Sequence, residues 1–279
     1  MNIEEQKAKA MAFRAMHRSG KILVLPNAWD VASACVFEEA GFGALATTSA
    51  GVAFSLGYPD GQKISREEML ARVGRIARAV KVPVTADVEA GYGLRPEDAA
   101  RTASEVIAAG AVGLNLEDTT GDDAHPLADL SLQLERIRAV KAAALKTGVL
   151  LVLNARTDVY LAKVGDPATR YDESARRLLA YRDAGADCVF LPGVADADTI
   201  GKIVRDTQCP VNILAGPGSP SVPELEKLGV ARVSIGSSAM RATLGLVKSI
   251  AEELKSAGTY RSLEDGIPYP DMNRMLGKS

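Results

Sequence analysis

The chain has 279 residues, 47% hydrophobic and 24% charged, with a formal net charge of -2. That balance supplies a core and excludes a disordered chain, while the lack of a Lys/Arg cluster or basic excess argues against nucleic acid as partner. No apolar run reaches the ~20 residues of a membrane span, and the charged N-terminal stretch does not read as a signal peptide, so the expectation is a cytoplasmic protein that meets a small molecule and no membrane.

The first predicted element is a helix over about residues 2–19, ahead of any strand. Short apolar runs then recur: "ILVL" from 22, "GALATTS" from 43, "VPVTADVEAG" from 82, "VGLNLED" from 112, "VLLVLNARTD" from 149, "CVFLPG" from 188, "CPVNILAG" from 209 and "ARVSIG" from 231. Between them lie stretches such as "REEMLARVGRIARAV", "PEDAARTASEVIAA", "LSLQLERIRAVKAAALK" and "DESARRLLAYRDA", whose apolar residues return every three or four positions, the spacing of one helix face. Gly41, Gly110, Gly185 and Gly229 each stand where a helix gives way to a strand, the place for a left-handed residue that ends a helix. Strict strand–helix alternation without a compositional break predicts one α/β domain over 1–279, a (β/α)8 TIM-type barrel rather than a doubly wound sheet, with a tail from Tyr260 to Ser279.

Barrel enzymes work at the C-terminal ends of their strands. The third predicted strand ends in Asp87 and Glu89, which as i and i+2 share a face. Two like charges on one face repel unless a divalent cation or a proton intervenes. The fourth strand delivers Asn115 and Glu117 in phase, with Asp118 just beyond. The fifth presents Asn154, Arg156 and Asp158, and the seventh Asn212. The two histidines and three unclustered cysteines leave little for a zinc site, a histidine-centred triad or a disulfide framework. Hard oxygen donors point to Mg2+, with Mn2+ possible, and Arg156 offers a planar fork for a carboxylate. No lysine lies in a predicted strand, which removes the nucleophile of Schiff-base chemistry. The small-residue run from Thr47 to Gly51 reads either as a backbone cradle for a carboxylate or as a tight turn, and "SIGSS" after the eighth strand either as a phosphate cradle or as a helix cap.

"TTSAGVAFSLGYPDG", "ADVEAGYG", "LNLEDTTG" and "LNARTD", in this order on successive strands, resemble the corresponding segments of the isocitrate lyase/phosphoenolpyruvate mutase superfamily. The resemblance implies a Mg2+-dependent barrel that makes or breaks a C–C or P–C bond of a small α-keto or α-hydroxy acid through a pyruvate-like enolate. It implies Asp87 as direct metal ligand, with Glu89 and Glu117 acting through water. Asp60 is implied near the reacting group, Ser49, Ala50 and Gly51 at the substrate carboxylate, and Arg156 on substrate oxygens. The expected site is therefore Asp60, Arg156 and Glu117 for catalysis; Ser49, Ala50, Gly51, Asp87, Arg156 and Asn212 for substrate; and Asp87, Glu89 and Glu117 for metal. A homotetramer in which a C-terminal helix is exchanged between subunits is also implied. The loop after the fourth strand, "TTGDDAHPLADL", lacks the Cys of the isocitrate and methylisocitrate lyases and the Lys-x-Asn of the mutase and its hydrolytic relatives. Oxaloacetate-type decarboxylation or C–C cleavage, which needs chiefly enolate stabilisation, is the expectation. Phosphonopyruvate or 2-methylisocitrate chemistry is the alternative, and a non-catalytic barrel that binds a keto acid is the alternative of another class.

Overall fold

The computed structural model describes residues 2–277, so Met1, Lys278 and Ser279, at the ends of the expected domain, lie outside the described residues. Helix α1 (Ile3–Met16) starts at Asn2, whose side chain accepts from the Glu4 amide. It buries Gln6, Ala10 and Phe13, spaced along one face, and Gln6 Nε2 donates to the carbonyls of Ile107 and Ala111 at 2.7 and 3.0 Å. Phe13 lies against Gly113, where a Cβ would sit 2.9 Å from Phe13 Cε1 and 2.8 Å from Thr85 Oγ1. Glycine at 113 is what lets the helix approach the strand.

Nine parallel strands follow, in the order β1-β9-β8-β7-β6-β5-β4-β3-β2. They are β1 (Leu23–Leu25), β2 (Asn27–Ala28), β3 (Leu45–Thr47), β4 (Val84–Asp87), β5 (Gly113–Glu117), β6 (Val152–Arg156), β7 (Cys188–Phe190), β8 (Val211–Leu214) and β9 (Arg232–Ser234). All eight predicted strands are present, and the ninth arises because the first divides at Pro26. Before the proline the chain pairs with β9, after it with β3. Proline has no N–H to donate, so the ladder breaks there and the strand changes neighbour, which all but closes the barrel. Asn27 stitches the closure, accepting from the amides of Ile235 and Gly236, both at 2.9 Å, and donating to the Thr47 carbonyl at 2.9 Å.

The helices between strands are α2 (Val31–Glu39), α3 (Ser49–Ser55), α4 (Arg66–Ala79), α5 (Pro96–Ala108), α6 (Leu130–Thr147), α7 (Arg170–Asp183), α8 (Ala197–Thr207) and α9 (Val222–Lys227), with α10 (Ser238–Ser256) and α11 (Tyr269–Leu276) after the last strand. The predicted glycine stops hold: Gly41, Gly110, Gly185 and Gly229 follow the caps of α2, α5, α7 and α9 at φ of 90°, 101°, 109° and 84°. Two elements depart from expectation. The run after β3 is the short helix α3, whose first turn is capped by Thr48 Oγ1 accepting from Gly51 N at 3.3 Å. The tail carries α11, which buries Met275 and joins α2 through an Arg274–Glu39 ion pair at 2.6 Å. Ser237 is the N-cap of α10 without a side-chain capping bond, which leaves the "SIGSS" cradle without a defined role. No helix of the described residues is long and apolar enough to cross a membrane.

Candidate active site

The C-terminal ends of β4, β5 and β6 lie side by side, with Asp87 in register with Asn115, and Glu117 with Arg156. Asp87 is buried and held at both oxygens: Oδ2 accepts from the amide and hydroxyl of Ser49 at 2.9 and 2.8 Å, and Oδ1 faces Asn115 Nδ2 at 3.4 Å. Ser49, expected at the substrate carboxylate, thus orients Asp87 from the first turn of α3. Gly51 lies where a Cβ would come within 2.6 Å of Thr48 Cγ2 and 3.0 Å of Trp29 Cβ. It is there for close packing, with Ala50 half-buried beside it.

Glu89 is also buried and sits at φ +52°, a left-handed conformation costly for a residue with a side chain. Tyr92 is at φ +57° and Gln62 at φ +56°. These three strained residues are tied together: Glu89 Oε2 accepts from Gln62 N at 2.6 Å, and Gln62 Oε1 accepts from Tyr92 N at 2.6 Å. Arg136, wholly buried on α6, donates to the carbonyls of Ala90 and Gly93 and closes the turn from outside. Strain of this kind persists only where the surroundings over-determine it, and it gathers at working sites. The Gln62 segment also brings Asp60 to the rim. Asp60 is exposed as a residue, but its carboxyl end reaches the influence of Asp87, Ser49 and Arg156.

Arg156 does not stand free. Its Nη1 pairs with Glu117 Oε2 at 2.8 Å, while Nε and Nη2 form a fork onto Asp158 at 2.5 and 2.7 Å. A guanidinium has five N–H groups, so these bonds leave one on each terminal nitrogen for an incoming anion. Glu117 Oε1 accepts from Thr119 Oγ1 at 2.6 Å. Behind this pair lies Asp118, fully buried, which accepts from Thr157 Oγ1 at 2.7 Å, Asp158 N at 3.0 Å, Tyr181 OH at 2.7 Å and Arg177 Nη1 at 3.1 Å. Asp118 therefore aims Asp158, which aims Arg156. Asn212 is wholly buried on β8, and both ends of its amide meet Ser234 Oγ at 3.3 Å. It is in register with Phe190, whose ring lies 5.7 Å under the Arg156 guanidinium.

The electrostatics are those of crowded acids. Burial raises Glu89 to about 8, and the charges of Asp60, Asp87 and Glu117 add to it against the Gln62 amide. Burial also raises Glu117, with Asp158 and Asp87 adding to it, against Arg156 and Thr119. Loss of solvent and then Asp87 raise Asp60. Burial and crowding thus hold protons on Asp60, Glu89 and Glu117, and together with Asp87 they are a donor set suited to a hard divalent cation, which would replace those protons. Among the described residues no group of three or more His, Cys, Asp or Glu side chains is placed to hold a metal ion. One direct ligand with water-mediated support is the arrangement that Mg2+ accepts. The sequence singled out these acids and Asp158 but missed Gln62, Arg136 and the other partners of Asp118, which are Thr157, Arg177 and Tyr181. Their only local mark is polarity, and tertiary contacts alone recruit them.

Fold and site together define a TIM-type barrel whose strand ends gather an acid cluster and one guanidinium at a single mouth. The chain belongs to the phosphoenolpyruvate phosphomutase family, whose model matches residues 13–255. The uncharacterized protein Rv1998c of Mycobacterium tuberculosis is 35% identical over 266 residues, covering 95% of this chain and 96% of that protein. Oxaloacetate decarboxylase 2 of Pseudomonas putida is 31% identical over 216 residues, 76% of this chain and 68% of that enzyme. The 2-methylisocitrate lyase of Escherichia coli is 29% identical over 265 residues, 91% and 87% of the two chains. Among solved structures, a protein of Burkholderia cenocepacia superposes with a TM-score of 0.92 at 41% identity, covering 97% of this chain and 96% of that one. Phosphonopyruvate hydrolase in complex with oxalate and Mg2+ superposes with a TM-score of 0.84 at 26% identity, covering 96% and 95%.

Proposed function

We propose that the protein is a Mg2+-dependent lyase that acts on a small α-keto acid, by decarboxylation of the oxaloacetate type or C–C cleavage through a pyruvate enolate. The observation that carries this reading is the contrast between the mouth and its neighbouring loop. The mouth concentrates Asp60, Asp87, Glu89, Glu117 and Arg156, whereas in loop 120–128 the titratable groups Asp122, Asp123 and His125 all face solvent, the His125 side chain being 83% exposed. His125 bonds only within its own loop, to Asp122 at 3.4 Å. Such a loop offers no poised acid for a departing carboxylic acid fragment, and CO2 departs without one.

In this reading Asp87, Glu89 and Glu117 hold the cation, which supplies Lewis acidity at the keto oxygen when bound. Ser49 fixes Asp87 in place. The first turn of α3 receives the substrate carboxylate at the Ala50 amide, since the Ser49 amide is given to Asp87 and the Gly51 amide to the Thr48 cap, Gly51 serving by its lack of a side chain. Arg156 gives its two remaining N–H groups to the oxygen on which enolate charge develops, a stabilisation already paid for by its fixed pairing with Glu117 and Asp158. Asn212 bounds the far wall, and Asp60 at the rim stands nearest the solvent that protonates the enolate carbon. The relatives that act on oxaloacetate and on 2-methylisocitrate, and the oxalate-bound structure, support the substrate class.

The test measures, in parallel, pyruvate release from oxaloacetate, 2-methylisocitrate and phosphonopyruvate and glyoxylate release from isocitrate, with Mg2+ and after chelation. Oxaloacetate should turn over only with the metal, Asp87→Ala should abolish turnover, and His125→Ala should cost far less. Efficient 2-methylisocitrate cleavage with oxaloacetate inert overturns this reading in favour of a methylisocitrate lyase, and phosphonopyruvate turnover alone in favour of P–C chemistry. No turnover above the metal-free control identifies a keto-acid-binding barrel.

A further inference from the structure

Arg232, on β9, is wholly buried and makes no salt bridge among the described residues. Its Nε and Nη1 are buried without a hydrogen-bond partner, and its one bond runs from Nη2 to Asn115 Oδ1 at 3.4 Å. A guanidinium so placed is a liability to stability, because an unpaired buried charge costs several kcal/mol in general. Its surroundings are Cys188 on β7, the neutral His17 above α1, and beyond Asn115 the carboxylate of Asp87, to which its charge is drawn. Such a group in a native fold calls for a reason.

The reason lies in the order of donors and acceptors. Arginine can only donate, and an ionised aspartate can only accept. Between them Asn115 turns its oxygen to Arg232 and to Asn154 Nδ2, at 3.4 and 2.7 Å, and its amide nitrogen to Asp87 Oδ1 at 3.4 Å. With a neutral apolar residue at 232, the paired amides of Asn115 and Asn154 lose the end group that forbids their reversal. A reversed Asn115 would set an oxygen against the Asp87 carboxylate. We propose that Arg232 is a positioning residue for the cation site: through Asn115 it holds the carboxylate of Asp87 in the orientation that receives the metal. Asn115 stands between Arg232 and Asp87, so the guanidinium acts on the carboxylate through the amide.

This inference rests on the reading of Asp87 as a metal ligand, and the experiment separates the two. Mn2+ binding to the purified protein is titrated by electron paramagnetic resonance, without substrate, for wild type, Arg232→Met, Arg232→Lys and Asn115→Leu, alongside thermal unfolding of each. The expected result is a Kd for Mn2+ raised tenfold or more in Arg232→Met, partly recovered in Arg232→Lys, with a Tm for Arg232→Met equal to or above that of wild type. A residue needed only for packing would lower the Tm instead. Asn115→Leu leaves Arg232 in place and cuts its link to Asp87, so it should lose Mn2+ affinity as Arg232→Met does, and it carries the test if Arg232→Met does not fold. Unchanged or tighter Mn2+ binding in Arg232→Met, or wild-type affinity in Asn115→Leu, overturns the inference alone. Wild-type protein that takes up no Mn2+ overturns the metal reading and the inference together.

Discussion

Glu89 shows how a single residue can be legible in type and hidden in behaviour. Its place two residues after Asp87 predicts an acid on the same face of one extended strand, but β4 ends at Asp87 and Glu89 has a left-handed backbone, so a turn, held by the hydrogen bond with Gln62, and not strand alternation brings it to Asp87. Its raised pKa, about 8, makes a pH prediction. An acid whose folded pKa lies above its unfolded value binds more protons folded than unfolded, so the stability of the metal-free protein should fall as pH rises through that interval. His17, lowered to about 4 by burial and by Arg232, acts with the opposite sign below its ordinary value of 6.5. Glu117, raised to about 7, acts with the same sign as Glu89 up to that pH, so the clean window for Glu89 is pH 7 to 8. There the Tm of chelated protein should decline, Glu89→Gln should flatten the decline, and Mg2+ should raise the Tm most at the alkaline end. A chelated wild type whose Tm is level across the window would show that Glu89 is not held protonated. At Arg156, Lys keeps the charge but not the fork onto Asp158 nor the contact with Glu117. Arg156→Lys should lower kcat/KM at least tenfold, equivalent to about 1.4 kcal/mol, as steady-state kinetics on the best substrate will report. Unaltered kinetics would reduce Arg156 to a structural tie for Asp158.

Between elements the connecting groups are buried ions, and Asp118 is the hub. It sits one residue past β5 and joins the β6 end, through Thr157 and Asp158, to α7 through Arg177 and Tyr181. Asp118→Ala strips Arg177 of its most buried carboxylate partner, leaving it Glu173, the Ala128 carbonyl and the Tyr181 hydroxyl. Loss of one member of a buried pair costs on the order of 3–5 kcal/mol, and denaturant unfolding should show it. A cost below about 1 kcal/mol would mean that water reaches Arg177 freely. The sequence placed Asp118 at the strand end but could not mark it as the hub, since its partners lie 39 to 63 residues away. Helices α4 to α7 were legible from their spacing and the glycine stops from their position, because both follow from local backbone geometry. Helix α3 was not, since seven residues without a charge carry no amphipathic pattern, and its cap is visible only once Thr48 is seen to bond Gly51.

At the scale of the whole molecule α10 is the anomaly. Nineteen residues long, it buries only Met240, and it exposes Leu244, Leu246, Val247 and Leu254 by 45 to 54%. A helix of a barrel ordinarily covers its apolar side against the strands, and a contiguous exposed apolar face of this kind suits a partner. We propose that this face is covered by the exchange of a C-terminal helix within a homotetramer, as the family resemblance implies. Light scattering coupled to size exclusion should give four times the 29.4 kDa chain mass, and Leu244→Glu with Val247→Glu should shift the protein to smaller species. A wild-type protein that runs as a monomer would refute the exchange.

The sequence by itself determined the barrel, the order of its strands, and the acids and arginine at their C-terminal ends. Alternation of apolar runs with helical spacing is a local property, and a strand end is a position along the chain. Tertiary structure alone decided what those side chains face. It turned Ser49 toward Asp87, closed Arg156 onto Glu117 and Asp158, and set Arg232 unpaired beneath Asn115. It also divided the first strand at Pro26 so that one segment could complete the sheet on both sides. Each of these joins residues that are distant in sequence or depends on which way a side chain turns. Hydrogen-bond direction, burial and charge act there through space, and no pattern along the chain records them.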